Sequence, residues 1–317
     1  MARVLIVDPI APAGEERLAR SSVEVVRATT SDADTVRRLA RDVDGIITRS
    51  KLPDDLFRTA PKLRAVAIHG TGTDLVPLAD ATARGVMVAN LPGVNAESVA
   101  EYCVMAMLVL ARRVLAISNA LHGATWDDAR ALGIGTHEIA VMTLGIVGVG
   151  AIGTRVAQIA RRGFGMRVLG HQRRLDRLPP EAEASALDPL VAASDFIVVT
   201  CPLTPQTHHL FDAERFARMK ASAWLINVGR GAVVEEAALV EALQSRRIAG
   251  AMLDVYEHYR LTPGHPLLSL DNAVLTPHLS GMTEESRERM GVAAAEEMLR
   301  MLAGQPPKNF VNPECRK

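Results

Sequence analysis

The run Leu144-Gly145-Ile146-Val147-Gly148-Val149-Gly150-Ala151-Ile152-Gly153 constrains the fold of this chain more than any other segment. It reads as a buried strand that opens directly into a glycine-rich turn and then a helix. Gly148 permits the tight turn, Gly150 lets the backbone approach a ligand with no Cβ in the way, and Gly153 lets the helix pack closely on its strand. A helix starting there aims free N–H groups and the positive end of its dipole at the turn, a setting that favours the pyrophosphate of a dinucleotide. Three glycines alone are weak evidence, because many strand-to-helix turns are glycine-rich for steric reasons. The flanks decide the matter: Thr154 to Arg162 is patterned as an amphipathic helix and Met166 to Gly170 as the next strand.

The same alternation runs through the whole chain. Short Val/Ile-rich runs at Arg3 to Val7, Val23 to Arg27, Gly45 to Thr48, Ala65 to Ile68 and Val86 to Ala89 are separated by helix-like stretches such as Asp32 to Arg41 and Pro53 to Thr59. A second set follows at Leu144 to Val147, Arg167 to Gly170, Phe196 to Val199, Trp224 to Asn227, Ala249 to Leu253 and Ala273 to Leu275. This is the doubly wound α/β pattern twice over. The predicted fold class is α/β with two parallel-sheet domains, the N-terminal one flavodoxin-like and discontinuous, the second a Rossmann dinucleotide-binding domain. At 317 residues and 48% apolar content the chain is long enough for both cores. The helical stretch Glu284 to Ala303 is expected to return to the first domain, giving residues 1–97 plus 286–317 as one domain and 98–285 as the other. The unbroken apolar run Cys103 to Ala111 fits an internal core helix, a link between domains or a contact with a second subunit.

Lys plus Arg balance Asp plus Glu at 36 each, so nothing in the charge predicts a nucleic-acid or membrane surface. A small molecule is the expected partner. The N-terminus lacks a signal-peptide layout and no apolar stretch approaches the ~18 residues of a membrane span, which makes the cytoplasm the expected compartment. Cys103, Cys201 and Cys315 are few and scattered, arguing against disulfides and a zinc site, so no metal is expected. The paired His208 and His209 read as ordinary surface residues.

Further segments follow in order: Asn90-Leu91-Pro92-Gly93-Val94-Asn95-Ala96, Pro202-Leu203-Thr204-Pro205-Gln206-Thr207, Asn227-Val228-Gly229-Arg230-Gly231, Leu253-Asp254-Val255-Tyr256, Thr276-Pro277-His278 and Val311-Asn312-Pro313. Together with the glycine loop they resemble the D-2-hydroxyacid dehydrogenases, the group that includes phosphoglycerate dehydrogenase and the glyoxylate/hydroxypyruvate reductases, over nearly the whole chain. The resemblance implies hydride transfer between a nicotinamide cofactor and a small D-2-hydroxy or 2-keto acid. That chemistry needs a cation to grip the carboxylate and polarise the carbonyl, and an acid to protonate its oxygen. Arg230 suits the first task with its planar fork, and His278 the second. The resemblance implies cofactor contacts at Gly148, Gly150, Ala151, Ile152, Gly153, Gln172, Arg173, Arg174, Cys201, Pro202, Thr207, Val228, Asp254 and Gly281. Asp254 is expected to hold the nicotinamide or the surroundings of the histidine. Substrate contacts are implied at Arg49, Ser50, Gly70, Thr71 and Gly72 as well as Arg230, and a homodimer is the expected assembly.

Two departures stand out. Five positions after Asp254, where the family carries the glutamate that pairs with its histidine, this chain has Tyr259. A phenol is uncharged at pH 7, so the imidazolium is less favoured and turnover is expected to fall at a lower pH than is usual for the family. Glu257, two residues earlier, is the alternative substitute. The second departure lies about 20 residues after the glycine loop, where an NAD-binding fold presents an acid to the ribose 2′-hydroxyl. Here the chain reads His171-Gln172-Arg173-Arg174. Arginines there suit a 2′-phosphate, so NADP(H) is expected to be preferred over NAD(H). From another class, a nucleotide-sensing protein with weak or no dehydrogenase activity is the rival.

Overall fold

In a computed structural model that describes residues 1–316, the chain divides into two compact units, Met1–Asn95 with the segment from Met282 onward, and Ala96–Gly281. The first unit holds strands β1 (Ala2–Ile6), β2 (Val23–Arg27), β3 (Gly45–Thr48), β4 (Ala65–Ile68) and β5 (Met87–Ala89), all parallel, in the order β2-β1-β3-β4-β5. That is the flavodoxin-like order. Because successive strand residues point to opposite faces, the sheet feeds two cores. Leu5, Ile46, Val66, Ile68 and Val88 pack toward Val36, Leu56, Phe57 and Ala81. Val4, Ile6, Ile47, Ala65 and Ala67 pack toward Leu18, Met290, Ala294 and Met298. Both faces are covered by helices, which explains why β3 and β4 are buried along their whole length and read as continuous apolar runs. The long helix Glu284–Leu302 lies on β3, β4 and the helix Pro12–Ala19. The two helices cross at glycines: a Cβ on Gly14 would lie 2.5 Å from the Gly291 carbonyl.

The second unit holds β6 (Thr143–Val147), β7 (Arg167–His171), β8 (Glu183–Ala184), β9 (Phe196–Val199), β10 (Trp224–Asn227), β11 (Gly250–Leu253) and β12 (Ala273–Leu275), again parallel, ordered β12-β11-β10-β9-β6-β7-β8. This is the Rossmann order with one strand added at the β12 edge. The order reverses between β6 and β9, so loops leaving the carboxyl ends of these two strands flank a crevice where such sheets bind ligands. β8 has no counterpart in the sequence pattern, because both its residues are exposed and carry no apolar alternation. The helix Ala96–Ala111 packs on the helix Ala151–Phe164 and buries Cys103, Ala106, Met107 and Leu110 in the unit's core, in line with the core-helix reading. Among the described residues no single helix is long and apolar enough to cross a membrane.

The C-terminal segment is joined to the first sheet by backbone pairing, Val311 N donating to Val88 O at 2.9 Å, and by one buried side chain. Asn312 accepts from Val88 N at 2.8 Å and donates to Val86 O at 2.9 Å and Thr82 Oγ1 at 3.1 Å. Replacing it leaves a buried amide and a carbonyl without partners, the costly side of the hydrogen-bond balance. Asn312→Ala is expected to lower the unfolding free energy by about 2 to 4 kcal/mol, read from urea denaturation. An unchanged midpoint would contradict this role.

Candidate active site

The groups singled out in the second unit lie where parallel strands end. After β6 the backbone turns through Gly148 at φ 97°, a left-handed conformation that side chains rarely adopt. Space forbids one as well: a Cβ there would come within 2.5 Å of the Cys201 backbone. At Gly153 it would lie 2.6 Å from Gly148 O and 3.1 Å from Ile146, so this glycine sets how closely the helix Ala151–Phe164 packs on its strand. Gly150 differs, since a Cβ there would meet nothing within 4 Å. Open space beside the N-cap of an uncapped helix is what a pyrophosphate cradle requires, so the residues present fit a dinucleotide. Thr200 Oγ1 donates to Gly148 O at 2.5 Å and ties the two switch-point loops together. The Cys201 thiol is buried, which pushes its pKa up to about 11 and leaves it a packing group. Thr207 turns its hydroxyl inward, accepting from Thr204 N at 2.8 Å and donating to Pro202 O at 2.7 Å, so it shapes the Pro202–Thr207 turn. Val228 is buried at the end of β10, and Gly281 closes the unit.

At the end of β7, Gln172 donates its side-chain amide to Arg174 O at 2.8 Å, fixing the turn. Arg174 forms a two-pronged pair with Asp176 at 3.0 and 2.9 Å. The sequence pattern did not anticipate this, because the acid lies just past the expected position. Arg173, exposed at the same turn, is left out of that ion pair.

Arg230 follows β10 in a turn held by Asn227, whose buried amide accepts from Gly229 N at 3.1 Å and donates to Arg230 O at 3.1 Å. Its neighbours must be glycine. A Cβ on Gly229 would stand 2.8 Å from Cys201 O, and one on Gly231 would stand 1.9 Å from the Tyr256 carbonyl carbon. The arginine donates to Gly229 O at 2.9 Å.

Asp254, fully buried at the end of β11, does the positioning around His278. Its Oδ1 accepts from Thr276 Oγ1 at 2.7 Å and Leu279 N at 2.8 Å, and its Oδ2 from Ser280 N at 2.9 Å. His278 sits inside that loop at φ 56°. Tyr256 donates to Thr276 O at 2.9 Å from a phenol that burial, reinforced by Asp254, pushes up to about 12. Tyr259, also left-handed at φ 65°, meets His278 edge to face, ring centroids 6.2 Å apart, with the Arg260 guanidinium 5.9 Å from its own ring centre. The position five residues after Asp254, where the resemblance implies a glutamate, is thus next to the imidazole and carries a phenol ring.

Glu257 does not substitute for that glutamate, which corrects the alternative drawn from the sequence. Its carboxylate turns to His209 Nε2 at 2.7 Å and accepts from Glu236 N at 3.2 Å. Burial opposes its ionisation, but the His209 and Glu236 hydrogen bonds outweigh it and hold the group below the usual carboxylate range. His209 is accordingly no ordinary surface residue. It is half-buried and stacked on His208.

In the first unit, Asp8 organises the strand end that carries Arg49 and Ser50. It accepts from Arg49 N at 2.7 Å, Ser50 N at 2.8 Å and Ser50 Oγ at 2.6 Å. Lys51 is drawn aside to Asp54 on the surface. The loop after β4 holds Gly70, where a Cβ would meet nothing within 4 Å, and Thr71, braced by Asn90 Nδ2 donating to Thr71 O at 2.7 Å; Gly72 follows. His69, 3% exposed and with neither ring nitrogen hydrogen-bonded, is held neutral: burial, then Arg49 and Arg287 against Asp8, lowers its pKa to about 4.

Fold and strand-end groups together define a two-unit, dinucleotide-binding dehydrogenase. Residues 104–280 match the family model described as D-isomer specific 2-hydroxyacid dehydrogenase, NAD binding domain. The chain is 39% identical over 296 residues to a glyoxylate reductase of Aeropyrum pernix, covering 90% of this chain and 87% of that one. It is 37% identical over 296 residues to a glyoxylate/hydroxypyruvate reductase B of Serratia proteamaculans, covering 91% and 90%. A solved NADPH-dependent glyoxylate/hydroxypyruvate reductase of Sinorhizobium meliloti, in complex with NADP and malonate, superposes with a TM-score of 0.88 at 32% identity, covering 99% of this chain and 97% of that one. The chain belongs to the D-isomer specific 2-hydroxyacid dehydrogenases. It is an NAD(P)-dependent oxidoreductase that moves a hydride between nicotinamide and a 2-hydroxy or 2-keto acid.

The contact of Tyr259 with His278 has a consequence for pH. With His278 as the proton donor proposed below, reduction consumes the imidazolium proton and turnover falls as pH rises through the histidine's pKa. A carboxylate in contact raises that pKa by about 1 to 3 units. Tyr259→Glu is expected to move the alkaline limb of the kcat profile upward by about one unit or more. A limb that stays in place would contradict the role given to Tyr259.

Proposed function

We propose that the protein reduces small 2-keto acids of the glyoxylate and hydroxypyruvate type, with NADPH preferred over NADH. The observation that carries the cofactor preference is the pair Arg174–Asp176: the only acid among residues 171–177 is neutralised by an arginine, and Arg173 remains beside it. A 2′-phosphate meets cations there and no unpaired carboxylate. The hydride comes from the bound nicotinamide. Gly148, Gly150, Gly153 and the helix start at Ala151 and Ile152 hold the pyrophosphate, while Gln172, Arg173 and Arg174 take the adenosine end. The loop residues Cys201, Pro202, Thr207, Val228 and Gly281 line the remainder of the cofactor.

Arg230 grips the substrate carboxylate and polarises the carbonyl, and its turn is stiff because Gly229 and Gly231 leave the backbone no slack. His278 delivers a proton to the carbonyl oxygen. Asp254 acts through His278 by fixing its loop, and Tyr259 supports the ring without adding charge. In the first unit, the backbone N–H groups of Gly70, Thr71 and Gly72, with Arg49 and Ser50, are the candidate substrate-binding groups. Exposed Val114, Leu115, Leu121 and Trp126 on consecutive helices give the second unit an apolar surface suited to a homodimer.

The test is kcat/KM for glyoxylate and hydroxypyruvate with each cofactor. NADPH is expected to be favoured by about tenfold or more, the value of one charge-assisted contact to the phosphate, and Arg173→Ala should erode that ratio. A preference for NADH would contradict the proposal.

A further inference from the structure

We propose that His208, His209 and Glu257 form a binding site for one divalent transition-metal ion of the zinc type, on the dinucleotide-binding unit and apart from the residues that do the chemistry. Each offers one ligand atom, and these atoms lie within 4.8 Å of one another. Two imidazole nitrogens and a carboxylate oxygen are the donor set that zinc, cobalt and nickel favour, and three protein ligands leave a fourth position for water. Metal–ligand bonds of about 2.0 to 2.2 Å place tetrahedral ligands roughly 3.4 Å apart. Small side-chain rotations therefore close the set.

The cluster is built rather than incidental. Side chains of consecutive residues ordinarily diverge, but His209 adopts a left-handed backbone at φ 50° and its ring stacks on that of His208, centroids 3.9 Å apart and planes 28° from parallel. That conformation is costly for a residue with a Cβ. It is held by His209 N donating to Ala232 O at 2.8 Å and Phe211 N donating to Val233 O at 3.0 Å. Glu257 is aimed by a second layer: its Oε2 accepts from Glu236 N at 3.2 Å, and its own N–H donates to Glu236 Oε2 at 3.3 Å. Glu236 is itself fixed by His265 at 2.9 Å. Oε1 is left for His209 and the ion, as outer-layer bonding of ligating carboxylates commonly arranges. His208 is exposed and His209 and Glu257 half-buried, so the open side faces solvent.

The ion would join the turn after β9 to the loop after β11, and Glu257 lies two residues before Tyr259 on that loop. The experiment titrates the full chain with Zn²⁺ against a chromophoric chelator, because binding is the primary claim. The proposal expects one equivalent bound with a Kd on the order of micromolar or tighter, and about tenfold or greater weakening in His208→Ala and in Glu257→Gln. His122→Ala, which removes a histidine outside the cluster, should bind as the parent does. His208 is exposed, so its variant is expected to keep its fold, checked by an unchanged circular dichroism spectrum. No stoichiometric binding in the parent, or binding that His208→Ala and Glu257→Gln leave unchanged, would overturn the site.

Discussion

The buried carboxylate of Asp254 is the constraint on which the catalytic end of the sheet depends. A charge with no exposure to water is tolerable only when hydrogen bonds replace its hydration, and here the donors come from the loop that carries His278: Thr276 Oγ1, Leu279 N and Ser280 N. The carboxylate and the loop therefore specify one another. That mutual requirement sustains a left-handed histidine, a conformation costing of order 1 to 3 kcal/mol when nothing over-determines it. Thr276 is gripped further by the Tyr102 hydroxyl at 2.5 Å and, through its carbonyl, by Tyr256.

Around this anchor the strand ends are crowded to the point where only glycine fits beside Arg230. The Gly229 and Gly231 positions press on the backbones of Cys201 and Tyr256, and Gly148 also presses on Cys201. Most polar groups at these ends, including Asn227, Thr200 and Thr207, are spent on holding loops. A sheet whose connecting loops are tied to one another in this way orients Arg230 and His278 at little cost in reorganisation.

Much of this was legible in the sequence because it lies in periodic or local signals. The strand runs of both sheets, the glycine spacing after β6 and the motifs around Arg230, Asp254 and His278 are read from neighbouring residues. What escaped is non-local or too short to carry a pattern. β8 is two exposed residues. Asp8 reaches Arg49 and Ser50 across some forty positions, with no spacing rule to announce it. Asp176 sits two positions beyond the His171–Arg174 stretch where an acid is sought, and the direction of the Glu257 carboxylate depends on His209 and Glu236, neither of which marks itself in the pattern. Side-chain hydrogen bonds between distant segments are decided by packing, and sequence periodicity records packing only as burial.

The measurement that bears most directly on the account is the kcat of Asp254→Asn for glyoxylate reduction at saturating NADPH, with NADPH affinity measured on the same protein. An amide keeps the shape but cannot accept all three donors, so the His278 loop should lose its fixed geometry. We expect a fall in kcat of about a hundredfold or more, the scale of misplacing the proposed general acid His278, with NADPH binding retained. A variant that binds NADPH and turns over at the parent rate would contradict it.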